Sequence, residues 1–321
     1  MLYQLSYVRA TPDSSFALTR PSQTPRTVSG VRAAAVVLAL TFLVASAGAA
    51  SAPASKQADA AVFGGLGTWV DIYDGAVFRS PERTASRMAA RGIETVWVET
   101  ANYNARTDVV RPRELGRLVD ALHTRGIRAI AWYLPGHLKP TLDIRRGLAM
   151  LSFRTPTGGS FDGIALNIEG TTLRNATVRS QRAVALTHAV RTVSGEMPLA
   201  IVPIDPRALE RRPSRWPRFP WAALAKEADA FAPMVYTGGA FRGFDATYGY
   251  VTRSLRLVRA NTRNPDLAIH VAGGVANRMG SEELAGFVAA VEDDGATIGV
   301  SLYDWDTMTS SAWRALARLK S

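Results

Sequence analysis

Short apolar segments that resemble β-strands alternate with amphipathic helical segments along the chain from residue 64 onward. Eight such strands recur every 27 to 37 residues, a spacing that is too short for separate domains and matches a βα unit. The predicted strands cover 66–73, 93–100, 127–134, 162–169, 199–205, 230–236, 267–273 and 297–304. Eight βα units in about 260 residues predict an α/β fold that consists of a single (β/α)8 barrel.

Helix boundary signals between the strands support this fold. A proline follows Ser80 at the first predicted helical position, and Gly92, Gly126 and Gly295 come directly before strands, where helices commonly end. Ser281 is expected to cap the helix that it begins. A doubly wound open sheet is the alternative fold, but it usually carries a glycine-rich phosphate turn after its first strand. The glycines of 64–67 lie at the beginning of the first strand and not after it.

The first 52 residues have the pattern of a secretory signal peptide with an extended n-region. An arginine-containing segment precedes the apolar run 33–47, which is followed by Ala50-Ser51-Ala52. An uncleaved membrane anchor is the alternative. We therefore predict a signal peptide over 1–52, a spacer over 53–63 and the barrel over 64–321. The predicted location is secreted or associated with a bacterial cell envelope, with membrane contact only if the signal segment is retained.

Composition excludes several classes of function. The chain has no cysteine, which rules out disulfides, thiolate metal sites and a cysteine nucleophile. The formal net charge is +11, but no basic run is interleaved with aromatic residues, so no nucleic-acid interface is predicted. The four histidines show no metal-binding spacing, and His270 is expected to be a buried core residue. We predict no metal site and no cofactor.

Acidic and aromatic residues concentrate where the predicted strands end, and the active site of such barrels lies at these carboxyl ends. Acids end five of the eight strands. Carboxylates bind hydroxyl groups and aromatic faces stack on sugar rings, so this set favours glycoside hydrolysis. The predicted catalytic residues are Glu169, Asn167, Asp71, Glu99 and Asp205, and the predicted substrate-binding residues are Tyr236, Tyr303, Trp305, Asp306, Tyr133 and Met234. Trp69 and Trp97 are mid-strand and are expected to fill the barrel.

The fourth strand carries the most informative motif, FDGIALNIEG at 161–170. Strand alternation places Ile164, Leu166 and Ile168 on one face, and Ala165, Asn167 and Glu169 on the other. A short apolar strand that ends in a carboxylate positions a proton donor over a substrate in a barrel enzyme.

This motif resembles the strand-4 signature D-G-x-D-x-D-x-E of family 18 glycoside hydrolases, the chitinase-like group. Asp162, Gly163 and Glu169 match the signature, whereas Ala165 and Asn167 replace its two middle acids. The segment 233–236 resembles the M-x-Y segment of the sixth strand, and 299–306 resembles the eighth strand, with Tyr303 in place of the usual Trp. The Asn-x-Glu pair is also similar to that of family 85 endo-N-acetylglucosaminidases. Overall the chain is at least as similar to uncharacterised bacterial barrels of the glycoside hydrolase type.

The resemblance implies roles for the two polar residues of this strand. Glu169 would be the general acid and base. Asn167 would orient the substrate's acetamido group, whose oxygen is the nucleophile in the chitinase-like mechanism. If the substrate lacks this group, Asp71, Glu99 or Asp205 would supply a second carboxylate, and the spacing of the pair would set the stereochemical outcome. The protein is therefore expected to act on a polysaccharide or amino-sugar glycan. The alternative is a carbohydrate- or wall-binding barrel without catalysis.

Overall fold

The computed structural model describes residues 59–319, which form a closed barrel of parallel strands. The strands of this region are β1 (Gly65–Val70), β2 (Thr95–Asn102), β3 (Arg128–Leu134), β4 (Gly163–Ile168), β5 (Leu199–Pro203), β6 (Ala230–Phe231), β7 (Met234–Tyr236), β8 (Ala268–Gly274) and β9 (Thr297–Tyr303). Each strand pairs in parallel with its neighbours, and β9 pairs with β1 to close the sheet. The predicted (β/α)8 architecture is confirmed, because β6 and β7 together occupy the sixth of eight positions.

The sixth position is divided because Pro233 interrupts it. Proline has no backbone N–H and cannot donate to the neighbouring strand. β6 pairs with both β5 and β8, whereas β7 pairs with β8 alone, and the Pro233 carbonyl accepts the Ala272 N–H at 3.3 Å. The single strand predicted over 230–236 is therefore two short strands that follow the same line.

Ten α-helices lie in the described region. They are α1 (Gly75–Arg79), α2 (Pro81–Ala90), α3 (Pro112–His123), α4 (Pro140–Ser152), α5 (Ala176–Ser194), α6 (Pro206–Arg211), α7 (Trp221–Glu227), α8 (Phe244–Thr262), α9 (Ser281–Asp294) and α10 (Ser310–Leu316). The short α1 and α6 were not predicted. Ser281 is the first helical residue and not the cap, because the Glu283 carboxylate accepts the Gly280 N–H at 3.1 Å.

Two separate cores form on the two faces of the sheet. The outer core, between strands and helices, contains Ile164, Leu166 and Ile168, as the alternation of β4 predicts. The loop aromatics Trp216, Phe219 and Trp221 also belong to this core, so they dock helices and do not form an exposed platform.

The inner core fills the barrel with aromatic rings. The Trp69 and Trp97 rings stack with their centroids 4.7 Å apart, and Phe63 stacks on Trp97 at 5.5 Å. Both tryptophans therefore have the predicted packing role. Phe63 was expected in a spacer, but it is fully buried, so residues that directly precede β1 contribute to the barrel core.

His270 is a satisfied core residue, as predicted. Its Nδ1 is 2.7 Å from the Phe63 carbonyl oxygen and its Nε2 is 2.9 Å from Ser301 Oγ. Glycine is needed on both flanking strands, since a Cβ on Gly67 or Gly299 would lie 2.9 or 2.4 Å from the imidazole. Burial lowers the His270 pKa to about 4, so the ring is neutral at physiological pH.

The predicted signal peptide, 1–52, lies outside the described residues. Among residues 59–319, no helix has the length and apolar character required to cross a bilayer.

Candidate active site

The carboxyl end of β4 presents Asn167 and Glu169 to the interior of the barrel. Asn167 is 6% exposed, and its Nδ2 donates to Glu169 Oε1 at 3.1 Å. The Asn167 Oδ1 is buried and has no hydrogen-bond partner. A buried carbonyl oxygen without a partner carries a desolvation cost, so this atom is a ready acceptor for a donor on a bound molecule.

Glu169 is partly exposed at the mouth of the barrel. Burial of its carboxylate raises the pKa, and this effect outweighs the opposing influence of the Asn167 amide and of Arg215. A carboxyl group with a raised pKa keeps its proton longer as pH rises. Glu169 therefore has the electrostatic character that a general acid requires.

Asp71 and Glu99 form the acidic wall of the site at the ends of β1 and β2. Glu99 Oε2 accepts the Ile72 N–H at 3.0 Å. Glu99 on β2 therefore anchors the loop that follows β1. Asp71 Oδ1 accepts the Tyr73 N–H at 2.7 Å, and Asp71 Oδ2 accepts the Tyr303 hydroxyl at 3.0 Å. These bonds fix both carboxylates in orientation before any ligand binds.

Glu99 is almost fully buried, and its pKa is raised to about 8. Desolvation is the main cause, and the negative charges of Asp71 and Glu169 add to it. Glu99 therefore remains largely protonated near neutral pH. Because Glu169 influences Glu99 electrostatically, the acids of β2 and β4 belong to one site.

Tyr236 and Tyr303 form the aromatic side of the site, with ring centroids 5.6 Å apart. Burial raises the pKa of both hydroxyls well above the ordinary value, helped by Glu169 at Tyr236 and by Asp71 at Tyr303. Both phenols therefore stay protonated, and Tyr303 uses its O–H for the bond to Asp71. Met234 lies below them in the inner core and is buried. The structure thus brings together Asp71, Glu99, Asn167, Glu169, Tyr236 and Tyr303.

Sequence reasoning gave little weight to Asp74 and Asp304, which lie beside Asp71. Carboxylate oxygens of these three buried residues all lie within 4.8 Å of one another, a spacing that a metal ion could bridge. Asp74 accepts the Asp71 N–H at 2.9 Å, and its pKa is raised to about 9 by burial and by its acidic neighbours. A proton on Asp74 near neutral pH reduces the repulsion among these carboxylates. Asp306 is exposed and contributes only repulsion to it.

Two predicted substrate-binding residues point away from the barrel interior. Tyr133 is fully buried in the outer core, where its hydroxyl donates to Asp143 Oδ1 at 2.6 Å. Trp305 packs against Trp313 with ring centroids 5.7 Å apart, and Arg87 lies over its face. Neither ring is available to stack on a sugar in this structure. A short 3-10 turn at Trp305–Thr307, capped by Asp304, turns Trp305 toward the helices.

Asp205 also lies apart from the candidate site, because its side chain hydrogen-bonds residues of the outer layer of helices. Its Oδ1 accepts the Arg207 N–H at 2.9 Å and caps α6, while its Oδ2 accepts the Tyr250 hydroxyl from α8. Pro206 begins α6 and directs Asp205 into this capping position. The candidate second carboxylates at the inner face are therefore Asp71 and Glu99.

Replacing Asp205 with Asn is expected to destabilise the fold without damaging the chemistry. Asn keeps an acceptor for the helix cap but loses the negative charge of the buried bond from Tyr250, which costs about 1–3 kcal/mol of unfolding free energy. Urea denaturation and activity per folded molecule measure the two effects separately. An activity loss of more than tenfold with unchanged stability would show that Asp205 takes part in catalysis.

The raised pKa of Glu99 predicts a pH dependence of stability. Between about pH 4.5 and pH 8 the folded protein holds a proton on Glu99 that the unfolded chain has released, so stability falls as pH rises through this range. The slope for one such group is at most about 1.4 kcal/mol per pH unit. Glu99→Gln should flatten the curve of unfolding free energy against pH. A Gln variant whose slope equals that of the wild type would show that Glu99 is ionised in the folded protein.

Structural comparison identifies the fold. No protein-family model and no curated protein matches the sequence. A GH18 chitinase from Pseudoalteromonas aurantia superposes with a TM-score of 0.56 and 12% identity, covering 79% of this chain and 99% of the other. An endo-1,4-beta-mannanase from Rhizomucor miehei gives a TM-score of 0.59 and 11% identity, over 75% of this chain and 86% of the other.

The spore cortex-lytic enzyme of Bacillus cereus gives a TM-score of 0.61 and 9% identity, covering 80% of this chain and 74% of the other. At such low identity the similarity concerns the fold. The chain shares the (β/α)8 barrel fold of these three enzymes.

Proposed function

We propose that the protein is an exported glycoside hydrolase that cleaves a glycan containing 2-acetamido sugars. The observation that carries the proposal is the Asn167–Glu169 pair, which joins a carboxyl group of raised pKa to a buried carbonyl oxygen without a partner. The acetamido N–H is the donor that fits this oxygen. Among the structural neighbours, a chitinase and a cortex-lytic enzyme are consistent with such a substrate.

In the proposed reaction Glu169 donates its proton to the glycosidic oxygen as the bond from the anomeric carbon to that oxygen breaks. The acetamido oxygen attacks the anomeric carbon from the opposite face and closes a cyclic cation. Asn167 Oδ1 accepts the acetamido N–H and so holds that oxygen in line. The Glu169 carboxylate then takes a proton from water, which opens the ring and restores the sugar with net retention.

The remaining residues act on the charge and orientation of the substrate. The Tyr236 hydroxyl, protonated throughout, is suited to donate to a sugar oxygen, whereas the Tyr303 hydroxyl donates to Asp71 and can accept a hydrogen bond from a sugar hydroxyl. Burial raises the pKa of Asp71 on the wall of the site, and Glu99 stays mainly neutral beside it. For a substrate without an acetamido group, Asp71 or Glu99 would have to act as the second carboxylate.

The direct test is a screen of glycan polymers by reducing-end detection. The panel consists of chitin oligosaccharides, N-acetylgalactosamine polymers, purified peptidoglycan and, as a substrate without acetamido groups, mannan. Release of reducing ends from acetamido glycans supports the proposal. Cleavage of mannan alone contradicts the acetamido assignment, and binding of glycans without any turnover would instead establish a carbohydrate-binding barrel.

A further inference from the structure

Tyr73 is an exposed aromatic residue that is nonetheless held at both ends. It lies in the loop between β1 and α1 and is 45% exposed. Its backbone N–H donates to Asp71 Oδ1 at 2.7 Å, and its phenol oxygen accepts from Asn102 Nδ2 at 3.1 Å. The ring is therefore fixed relative to the acidic wall of the site while one large surface remains open to solvent.

The partner of this phenol links Tyr73 to the site. Asn102 is 3% exposed at the end of β2, and its side chain also hydrogen-bonds Glu99, which lowers the pKa of that acid. Arg146 donates to the Asn102 carbonyl oxygen at 2.7 Å and so holds the same segment from the other side. The Tyr73 ring thus rests on a rigid support that includes a residue of the candidate active site.

Two further apolar side chains follow the next two strands, β2 and β3. Tyr103 is adjacent to Asn102 and packs closely on Gly136, where an added Cβ would lie 2.7 Å from the Tyr103 Cβ. Leu138 follows at the end of β3 and is 49% exposed, with its carbonyl oxygen held by Arg182 at 3.1 Å. β1, β2, β3 and β4 are consecutive neighbours in the sheet, so these residues lead toward the strand that carries Glu169.

We propose that Tyr73 forms a stacking subsite for a sugar unit remote from the unit held at Asn167, so that the glycan lies along the mouth from β4 toward β1. The proposal rests on the proposed function and adds the direction of the chain. The C–H face of a pyranose is apolar and matches an exposed phenol ring. A ring that is already fixed loses little conformational entropy when it binds, which favours affinity.

The test compares Tyr73→Ala and Tyr73→Phe with Phe244→Ala. Phe244 is a matched control, because it is 41% exposed and its ring stacks on Tyr248 of its own helix, α8. Hydrolysis is measured on N-acetylglucosamine oligomers of about two to six units, and oligomer binding is measured by calorimetry in each variant combined with Glu169→Gln. For Tyr73→Ala we expect a roughly tenfold rise in KM for the hexamer, with the KM for the dimer unchanged.

The Phe variant keeps the ring and loses only the bond to Asn102, so its KM for the hexamer should rise less, by roughly threefold. It also keeps the test decisive if the Ala variant folds poorly. Equal KM values for Tyr73→Ala and wild type at every oligomer length would overturn the subsite while leaving the proposed function intact. Length-dependent binding that Tyr73→Ala weakens, without turnover by the wild type, would uphold the subsite and refute hydrolysis. Neither binding nor cleavage of any oligomer by the wild type overturns both.

Discussion

Replacing Glu169 with Gln is expected to lower kcat on an acetamido glycan by about 10³-fold or more, with little change in KM. A positioned general acid contributes about 10²–10⁴-fold to the rate, and here the same group must also deprotonate water in the second step. Gln has nearly the same shape and can still bond Asn167, so the site should remain assembled. Steady-state kinetics and thermal unfolding of the purified variant measure the two properties.

The matched control for this variant is Asp205→Asn, which neutralises another strand-end acid. Asp205 bonds α6 and Tyr250 on the outer layer, so its variant should lose stability and keep turnover. The opposite pattern, with Glu169→Gln active and Asp205→Asn inactive, would identify Asp205, after β5, as the general acid and refute the assignment of Glu169. Unchanged glycan binding in the inactive Glu169→Gln protein would further show that its loss is chemical.

The inner face of β4 was predictable because strand alternation places Ala165 and Asn167 on it, and Glu169 follows the last strand residue directly. The same rule failed where the chain leaves the sheet. Asp205 precedes Pro206 and becomes a helix cap, and Trp305 follows a short turn that rotates it toward α2. The direction of a side chain after a strand ends depends on the turn that follows, which periodicity does not describe.

Contacts between distant strands could not be predicted either. Tyr303 and Asp71 are 232 residues apart, and their hydrogen bond exists only because β9 closes the barrel on β1. The same closure brings Asp304 to Asp71 and Asp74, so the buried acidic cluster results from topology. The break at Pro233, in contrast, follows from a local property of proline that the sequence displays.

Replacing Asn167 with Ala is expected to lower kcat on an acetamido substrate by about 10²–10³-fold, the usual cost of losing one group that stabilises a developing charge. Asn167→Asp restores an acceptor oxygen and a negative charge beside the cationic intermediate, so it should retain far more activity than the Ala variant. Neither variant should act on the corresponding deacetylated oligomer, because glucosamine supplies no acetamido oxygen as nucleophile.

The pH profile of Asn167→Ala distinguishes a role in catalysis from a role in packing. The Asn167 amide donates to Glu169 and lowers the pKa of that acid, so its removal raises the Glu169 pKa. Glu169 then keeps its proton to higher pH, and the alkaline limb of kcat/KM should move to higher pH as the maximal rate falls. A packing defect would lower the rate at every pH without moving the limb. Full activity in Asn167→Ala, together with cleavage of deacetylated oligomers, would mean that Asp71 or Glu99 supplies the second carboxylate.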